Sequence, residues 1–251
     1  MDNGLYDMIF KRKSFHLFRN IGNEKLTDED LKGIEDAFDK FVPLVPDIKV
    51  KIKLVKEGAA CSRGQEYCIY MYSEKKDNYL QNIGYIGEQL DLYLVSRNIG
   101  TLWFGIGKPA DNTLDGLDYV IMIAIAKVDS DTKFRKDMYK SKRKEVSEFW
   151  SGSEMTAISN IVRFTPSACN SQPWRVQASN SLIEISRYRK PGKIGIMPAD
   201  KACYFNQIDM GIFLCFIDLC LDHEDIKYER TMFKEEDEKG SLNKTAVYKL
   251  C

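Results

Sequence analysis

Residues 166–174, with the sequence PSACNSQPW, contain the side chains best suited to bind a small polar ligand. Ser, Asn and Gln offer hydrogen-bond donors and acceptors without net charge, while Pro166 and Pro173 stiffen both ends of the run. Such a run suits recognition of the edge of a flat, polar heterocycle. The same composition is equally typical of a structured loop without a ligand, so both interpretations stay open on these residues alone.

Near the N-terminus, Arg12, Lys13 and His16 bring three side chains that can carry positive charge close to the hydroxyl of Ser14. They follow a predicted helix over residues 5–10. A phosphate dianion is bound by such a set, because it takes charge-assisted hydrogen bonds together with a neutral donor. A solvated basic segment is the alternative, and charge alone favours that alternative.

Two further segments have residue types that suit a ligand. Residues 100–107, GTLWFGIG, follow a long predicted helix, and their glycines allow backbone amides to approach a ligand plane closely. A helix C-cap at Gly100 followed by a turn explains the same glycines. Residues 140–144, KSKRK, form a basic run, which is most often a solvated surface.

These motifs together resemble the nitroreductase family. The run 166–174 is similar to the family's loop pattern Pro-Ser-x-x-Asn-x-Gln-Pro-Trp, with Ala168 where a second Ser is frequent. The segment from Arg12 to Phe18 resembles Arg-Arg-Ser-x-Arg-x-Phe, with His16 in place of Arg. Residues 100–107 resemble Gly-Leu-Gly-Thr-x-Trp-x-Gly.

The resemblance implies an FMN cofactor and a role for each matching residue. The phosphate and ribityl end would be held by Arg12, Lys13 and Ser14, with His16 beside them, and Arg143 with Lys142 or Lys144 would close over the phosphate. The edge of the ring system around N5 would lie against Trp103, Phe104, Gly105 and Ile106. The loop would contribute Pro166, Ser167, Ala168, Asn170 and Gln172.

The distribution of the motifs predicts an internal duplication. The phosphate motif occurs only in the first half and the polar loop only in the second, where ordinary family members carry both in each subunit of a dimer. Residues 40–43 (KFVP) and 163–166 (RFTP) share a pattern, and Gly87 and Gly211 repeat at almost the same spacing. We therefore expect an α+β, nitroreductase-like fold with mixed sheets flanked by helices. One domain over residues 1–251, with fused lobes of about 1–148 and 149–251, would mimic the usual dimer.

Hydrophobic periodicity and turn residues predict the elements that position these motifs. Helices are expected over residues 5–10, 28–41, 79–98, 154–164 and 205–221, the second of them capped by Thr27. Strands are expected over residues 50–54, 67–72, 119–128, 174–177, 181–185, 227–233 and 246–250. Residues 129–148 are predicted to be a charged connector and residues 234–239 a solvated loop.

Bulk properties fit a soluble globular chain and exclude several classes of function. The 251 residues are 44% hydrophobic and contain 37 basic and 37 acidic residues, so net charge attracts neither nucleic acid nor an acidic membrane. The longest apolar run, 119–126, is too short to span a bilayer, and the first residues predict no signal peptide. Seven cysteines without metal-ligand spacing predict no metal site and indicate the reducing cytoplasm.

The expected function is that of an FMN-dependent oxidoreductase. NAD(P)H would pass hydride to flavin N5, and a small-molecule acceptor, nitroaromatic or quinone-like, would then be reduced. This chemistry needs no protein acid or base, so no catalytic residue is predicted. The alternative is a flavin-binding storage or sensor protein with little turnover. A monomeric pseudo-dimer and a homodimer are both compatible with the sequence.

Overall fold

The computed structural model describes residues 4–56, 58, 62–190, 192–234 and 242–251, which form the predicted α+β fold. Within these residues the helices are α1 (Gly4–Lys11), α2 (Asp28–Phe38), α3 (Tyr79–Ser96), α4 (Thr156–Val162) and α5 (Ala199–His223). The strands are β1 (Val50–Lys56), β2 (Tyr67–Ser73), β3 (Ile99–Trp103), β4 (Thr113–Leu114), β5 (Leu117–Lys127), β6 (Trp150–Gly152), β7 (Trp174–Ala178), β8 (Leu182–Tyr188), β9 (Tyr228–Met232) and β10 (Leu242–Leu250). Short 3-10 turns occupy parts of the charged connector.

The chain divides into two compact units, and each contains one sheet. The N-terminal unit comprises Asp7–Tyr79 and Ile86–Met138, and the C-terminal unit comprises Met1–Tyr6, Leu80–Tyr85 and Tyr139–Cys251. Helix α3 therefore contributes its first turns to the C-terminal unit and the rest of its length to the N-terminal unit. The organisation as one domain of two fused lobes stays a prediction.

The two sheets share a strand order. In the N-terminal unit the order is β1-β2-β5-β3, with β4 added to β5, and every pairing is antiparallel. In the C-terminal unit the order is β6-β7-β8-β10-β9, where only the pairing of β6 with β7 is parallel among the described strands. Leaving β4 and β6 aside, each unit runs helix, two strands, helix, two strands, with the second and fourth strands in the middle. This common order supports the internal duplication, which stays a prediction.

The core of the N-terminal unit forms around the two central strands. Strands β2 and β5 are apolar runs with buried residues on both faces, as is typical of a strand covered on each side. Phe15, Tyr70, Tyr72, Phe104 and Met122 belong to one buried cluster. This cluster fixes the segment after α1 and the segment after β3 against the same sheet.

Helix α2 begins where the sequence predicts. Thr27 Oγ accepts a hydrogen bond from the Asp30 N–H at 3.1 Å, and the Asp30 carboxylate accepts from the Thr27 N–H at 3.0 Å. This reciprocal capping satisfies two backbone donors that the first turn leaves without partners. The helix ends at Phe38, before the expected Phe41.

Helix α5 is the central helix of the C-terminal unit. It is longer than the predicted span 205–221, because it begins directly after Pro198, whose fixed φ angle suits a helix start. By length and composition alone α5 is apolar enough to cross a membrane, yet 83% of its apolar window is buried inside the protein. It has the pattern of a core helix.

Two glycines let α3 and α5 cross with their backbones in contact inside the C-terminal unit. A Cβ on Gly84 would lie 2.0 Å from the carbonyl oxygen of Ile208, and a Cβ on Gly211 would lie 1.9 Å from that of Gln81. The contact is reciprocal, since each glycine meets the carbonyl of the residue three positions before the other glycine. In this contact Gly211 corresponds to Gly84. The repeat in the sequence predicts instead that Gly211 corresponds to Gly87.

A buried carboxylate joins four elements of the C-terminal unit. Asp218 on α5 accepts hydrogen bonds from the hydroxyls of Tyr85 and Tyr248, both at 2.6 Å, and from Arg230. Burial raises the pKa of both tyrosines and of Asp218, while the Arg230 charge opposes that rise for all three. The cluster connects α5 to α3, β9 and β10, and its role is structural.

Most predicted elements are confirmed, and one local assignment is wrong. Gly100 is not the C-cap of α3, because it lies inside β3, a strand that the sequence analysis missed. Asn98, with φ of 55°, ends the helix in the left-handed conformation instead. Gly100 lacks a side chain for another reason, since a Cβ there would lie 3.0 Å from the Phe15 ring. Of the predicted loop 234–239, only Lys234 lies within the described residues.

Candidate functional site

Arg12 lies in a buried network of charges in the N-terminal unit. Its side chain is 4% exposed, and its Nε donates to Asp91 Oδ2 at 2.9 Å. Glu88 Oε1 lies 3.6 Å from the Arg12 Nε, and both carboxylates project from α3. The guanidinium charge predicted to hold a phosphate is thus shared with two carboxylates of its own unit.

The protonation of this network follows from its burial. Burial, together with the adjacent Asp91 charge, raises the pKa of Glu88 well above its usual range. Burial alone would lower the pKa of Arg12, but the charges of Asp91 and Glu88 raise it on balance. Arg12 is therefore cationic, and Asp91 is its principal counter-ion.

Trp103 and Thr101 complete the same network from β3. The Trp103 indole N–H lies 3.0 Å from Asp91 Oδ2 and 3.2 Å from Glu88 Oε2, and the Thr101 hydroxyl donates to Asp91 Oδ1 at 2.5 Å. The indole ring packs against Gly87, where a Cβ would lie 2.5 Å from a ring carbon. Trp103 is thus fixed against α3, and its predicted contact with a flavin stays a prediction.

The rest of the N-terminal motif runs beside β3. Ser14 forms a parallel bridge with Thr101, and the Phe15 N–H donates to the Thr101 carbonyl at 2.9 Å. The Arg12 guanidinium lies 3.5 Å from the Ser14 hydroxyl. His16 is exposed. The structure therefore brings Arg12, Ser14 and Trp103 together, and their contacts with a flavin stay a prediction.

Lys13 lies among cations that the sequence analysis did not include. Its ammonium donates to the Lys133 carbonyl oxygen and lies 4.8 Å from the centre of the Phe15 ring. Burial lowers the pKa of Lys13, and the charges of Lys133 and Arg135 lower it further. The pKa of Arg135 is likewise lowered by burial and then by Arg12. These lowered pKa values indicate that the cations repel one another. A bound anion would stabilise such a set of cations.

The segment after β3 forms an exposed turn. Phe104 is buried and its N–H donates to the Met122 carbonyl at 2.9 Å, while Gly107 N–H closes the turn on the Phe104 carbonyl at 3.0 Å. Ile106 is 57% exposed, and Gly105 is exposed as well. Among the described residues, the N–H groups of Gly105 and Ile106 donate no backbone hydrogen bond, so this turn presents two amide donors.

The polar loop of the C-terminal unit has an unusual backbone. Cys169, Asn170 and Gln172 have φ angles of 51°, 54° and 46°, in the left-handed region that residues other than glycine seldom adopt. Three such residues in one short segment persist only where surrounding contacts determine the conformation. The conformation of the loop is therefore set by its contacts with neighbouring residues.

The basic run and the loop are neighbours in the C-terminal unit. The Arg143 guanidinium donates to Asn170 Oδ1 at 2.7 Å, and the Asn170 amide donates to the Lys142 carbonyl at 3.1 Å. Lys144 binds Gln172 twice, through its N–H to Oε1 at 2.8 Å and through its ammonium to the carbonyl oxygen at 2.9 Å. The structure thus brings together Lys142, Arg143, Asn170 and Gln172, and their contacts with a flavin stay a prediction.

Asp209 of α5 supports the loop from below. Its carboxylate accepts hydrogen bonds from the Ala168 N–H at 2.9 Å, from the Ser171 hydroxyl at 3.1 Å and from the Asn206 amide at 2.9 Å. Burial raises the pKa of Asp209 to about 7, although all three hydrogen bonds favour the ionised form. The support of the loop is therefore sensitive to pH near neutrality.

Replacement of Asp209 by Asn is expected to change how stability depends on pH. The pKa of about 7 in the folded protein lies above the usual value of 3.8, so the folded chain retains a proton that the unfolded chain loses. The contribution of Asp209 to the free energy of unfolding is thus fully present below pH 4 and is lost as pH rises through 7. We expect the unfolding free energy of the native protein, relative to Asp209→Asn, to fall by about 3 kcal/mol from pH 5 to pH 8. Urea unfolding of both proteins at each pH measures this; a difference independent of pH would contradict it.

The tryptophan that ends the motif anchors the loop to the core. Trp174 begins β7, is 0% exposed, and stacks on Phe213 of α5 with ring centres 4.7 Å apart. Tyr188 N–H donates to the Pro173 carbonyl at 2.7 Å and fixes the position before it. Trp174 therefore positions the loop by packing, and the loop's polar residues are held at the end of β7.

The sequence analysis missed two cations beside the N-terminal motif and one buried amide elsewhere in the chain. Lys133 and Arg135 lie in the charged connector, where a scattered basic pattern resembles any solvated segment. Gln81 is 1% exposed, and its amide nitrogen and oxygen have no hydrogen-bond partner among the described residues. A polar Gln81-Asn82 pair inside an otherwise apolar helix pattern was the signal that could have identified it.

Comparison with solved structures shows a known fold. A crystal structure titled "putative nitroreductase" from Thermotoga maritima matches with a TM-score of 0.59 and 19% sequence identity, covering 98% of this chain and 92% of that chain. A second structure, titled "Putative NADH dehydrogenase/NAD(P)H nitroreductase" from Parabacteroides distasonis, has a TM-score of 0.44 and 12% identity, covering 61% of this chain and 100% of that chain. The first shows a nitroreductase fold, and the second is too dissimilar to add to it. No curated protein matches the sequence.

A family model settles membership. The model described as "Putative TM nitroreductase" matches residues 4–220, which include the N-terminal motif, the turn after β3, the basic run and the polar loop. The match extends over most of the chain, and the fold agrees with it. The chain therefore belongs to the TM nitroreductase family, a family of oxidoreductases of nitroreductase type.

Proposed function

We propose that the protein is an FMN-dependent oxidoreductase that takes hydride from NAD(P)H and reduces a small nitroaromatic or quinone-like acceptor. The observation that carries the proposal is that the segments resembling the family's flavin motifs are each held by defined contacts within their own unit. The N-terminal motif and the turn after β3 lie on one sheet, and the polar loop is fixed by Asp209 and Trp174. Family membership supports the same activity.

The donor set of the N-terminal unit fits the phosphate of FMN. Lys13, Lys133 and Arg135 repel one another, as the lowered pKa of Lys13 indicates, and a phosphate dianion would relieve that repulsion. Ser14 adds a neutral donor. Arg12 has a different part in this proposal, because its charge is compensated by Asp91 and it orders the segment that carries Lys13 and Ser14.

One polar feature of the N-terminal unit fits the ring system of the flavin. The exposed N–H groups of Gly105 and Ile106 are donors of the kind that would stabilise electron density developing at the N5 edge. Such donors suit a planar heterocycle better than a metal ion.

Bound FMN would supply the hydride chemistry, accepting two electrons from the nicotinamide and delivering them to the acceptor. The residues of the chain would bind and orient. The cations hold the phosphate end, and the polar loop offers Ser167 and Asn170 to the ligand. No side chain is required to move a proton, so the enzyme depends on position and electrostatics rather than on an acid–base pair.

The decisive test is the visible absorption spectrum of the purified protein, followed by addition of NADH or NADPH without air. An oxidised-flavin spectrum that bleaches with either nucleotide would establish a reducible flavin and support the oxidoreductase. A flavin spectrum that persists with both nucleotides would favour the alternative of a storage or sensor protein. A colourless protein that fails to take up added FMN would exclude both functions.

Replacement of Arg135 by Ala is expected to weaken FMN binding by roughly tenfold or more, because one charge-assisted hydrogen bond to the phosphate is lost. Riboflavin lacks the phosphate, so its affinity should not change. Fluorescence titration of both flavins measures the two affinities, and Arg19→Ala, which removes an exposed arginine of the same unit, is the matched control. An equal loss for both flavins would show that Arg135 acts on the fold and not on the phosphate.

A further inference from the structure

A cavity of about 370 Å³ lies beside the polar loop in the C-terminal unit. Its volume is that of a site for a small organic molecule, well beyond the space that one inorganic ion fills. The cavity is lined by the end of the polar loop, by β7 and β8 and by α5, through Lys144, Ser171, Gln172, Pro173, Arg175, Tyr188, Lys190, Ile194 and Asn206.

The wall of this cavity is positively charged. Lys144, Arg175 and Lys190 all line it, and no acidic side chain of the described residues does so. Burial lowers the pKa of Lys144, and the charges of Arg175 and Lys190 lower it further, while Glu148 acts in the opposite direction. The three cations therefore repel one another across the cavity, and an anionic occupant would remove that cost.

The remaining lining residues provide neutral polar groups and an apolar surface. The buried Asn206 amide donates to the Ser171 hydroxyl at 2.8 Å, which fixes both groups on the cavity wall. The Arg175 guanidinium lies 5.3 Å from the centre of the Tyr188 ring and donates to the Trp174 carbonyl at 2.6 Å, so its position is fixed. Pro173 and Ile194 form the apolar part of the lining.

We propose that this cavity binds the phosphate group of a small organic phosphate, held by Lys144, Arg175 and Lys190 with its organic part against Pro173, Tyr188 and Ile194. Free phosphate shares the charged end of this chemistry, but it would leave the apolar part of the cavity empty. Arg175 and Tyr188 give the site a planar cation and an aromatic ring, a combination suited to a nucleoside monophosphate.

The site goes beyond the proposed flavin function, although the family resemblance assigns two of its lining residues, Lys144 and Gln172, to the flavin as well. FMN carries one phosphate group, and the N-terminal unit already contains Lys13, Lys133 and Arg135 for it. Arg175 and Lys190 belong to no flavin motif and are therefore in excess of what a single flavin requires. The cations of the cavity belong wholly to the C-terminal unit.

The inference is tested by isothermal titration calorimetry with adenosine 5′-monophosphate, inorganic phosphate and adenosine. Each ligand is titrated into the full-length protein with and without saturating FMN. We expect adenosine 5′-monophosphate to bind, inorganic phosphate to bind more weakly, and adenosine to bind least. Equal affinity for the two phosphates would assign the cavity to free phosphate, and an absence of binding by both would overturn the proposal.

Two variants locate the binding. Lys190→Gln, at an exposed position, is expected to weaken phosphate binding roughly tenfold. Lys249→Gln makes the same charge change at another exposed position of the same unit and should leave the affinity unchanged. Equal effects of the two variants would show general charge attraction and not a site. Displacement of the phosphate ligand by FMN would assign the cavity to the flavin instead, whereas binding to a protein that takes up no flavin would support the cavity even if the flavin proposal fails.

Discussion

Replacement of Arg12 by Met is expected to lower the free energy of unfolding by about 3–5 kcal/mol, because it leaves the Asp91 carboxylate buried without its cation. Asp91 and Glu88 have fully buried side chains, and Arg12 lies 2.9 Å from the first and 3.6 Å from the second. Urea unfolding followed by tryptophan fluorescence gives the change as a shift of the midpoint.

Two further proteins separate the charge from the packing. Arg12→Met combined with Asp91→Asn should recover part of the lost stability, because the uncompensated charge is removed with its partner. Arg19→Met, at an exposed arginine of the same unit, should change stability by less than about 0.5 kcal/mol. An Arg12→Met protein with almost unchanged unfolding free energy but reduced FMN affinity would contradict the structural role. It would instead support a direct contact of Arg12 with the phosphate.

The elements that the sequence predicts well are those whose pattern is long and local. Helix α3 has apolar residues at helical spacing along its length, and β5 is an uninterrupted apolar run between polar ends. The cap of α2 depends on Thr27 and Asp30, three positions apart. Each of these patterns is contained in a short window, so the chain around it does not need to be known.

The assignment of Gly100 was wrong because glycine serves two physical purposes. At a helix end it allows a left-handed backbone, and in a strand it allows a neighbour to approach closely. Only the position of Phe15, far away in the chain, decides which purpose applies here. The left-handed residue that ends α3 is Asn98, which the sequence also contains next to the same helix.

The candidate site was identified by its motifs, but its supporting contacts were not. The motif placed Arg12 near a phosphate, whereas its partners Asp91 and Glu88 are on a helix that only the fold brings to it. In the same way, the loop pattern does not reveal that Asp209 accepts three hydrogen bonds beneath it. Contacts between residues distant in sequence depend on the packing of α3 and α5, which no local pattern specifies.

Replacement of Gly211 by Ala, at the crossing of these two helices, is expected to lower the free energy of unfolding by about 3 kcal/mol. The new methyl group would lie 1.9 Å from the Gln81 carbonyl oxygen, so the two helix backbones would have to move apart. Backbone atoms cannot turn away as a flexible side chain can. The separation would also displace Asp209, two positions before Gly211, and with it the support of the polar loop. FMN affinity should therefore fall together with stability.

Gly33→Ala is the matched control, because Gly33 lies within α2 and a Cβ there would meet only the Tyr93 hydroxyl, at 3.4 Å. That change should stabilise the protein by up to about 1 kcal/mol, since alanine favours the helix. Gly84→Ala, which would place a methyl group 2.0 Å from the Ile208 carbonyl, should resemble Gly211→Ala because the contact is reciprocal. Unfolding free energies that set Gly84→Ala and Gly211→Ala far apart would contradict a symmetric crossing and weaken the case that the two halves arose by duplication.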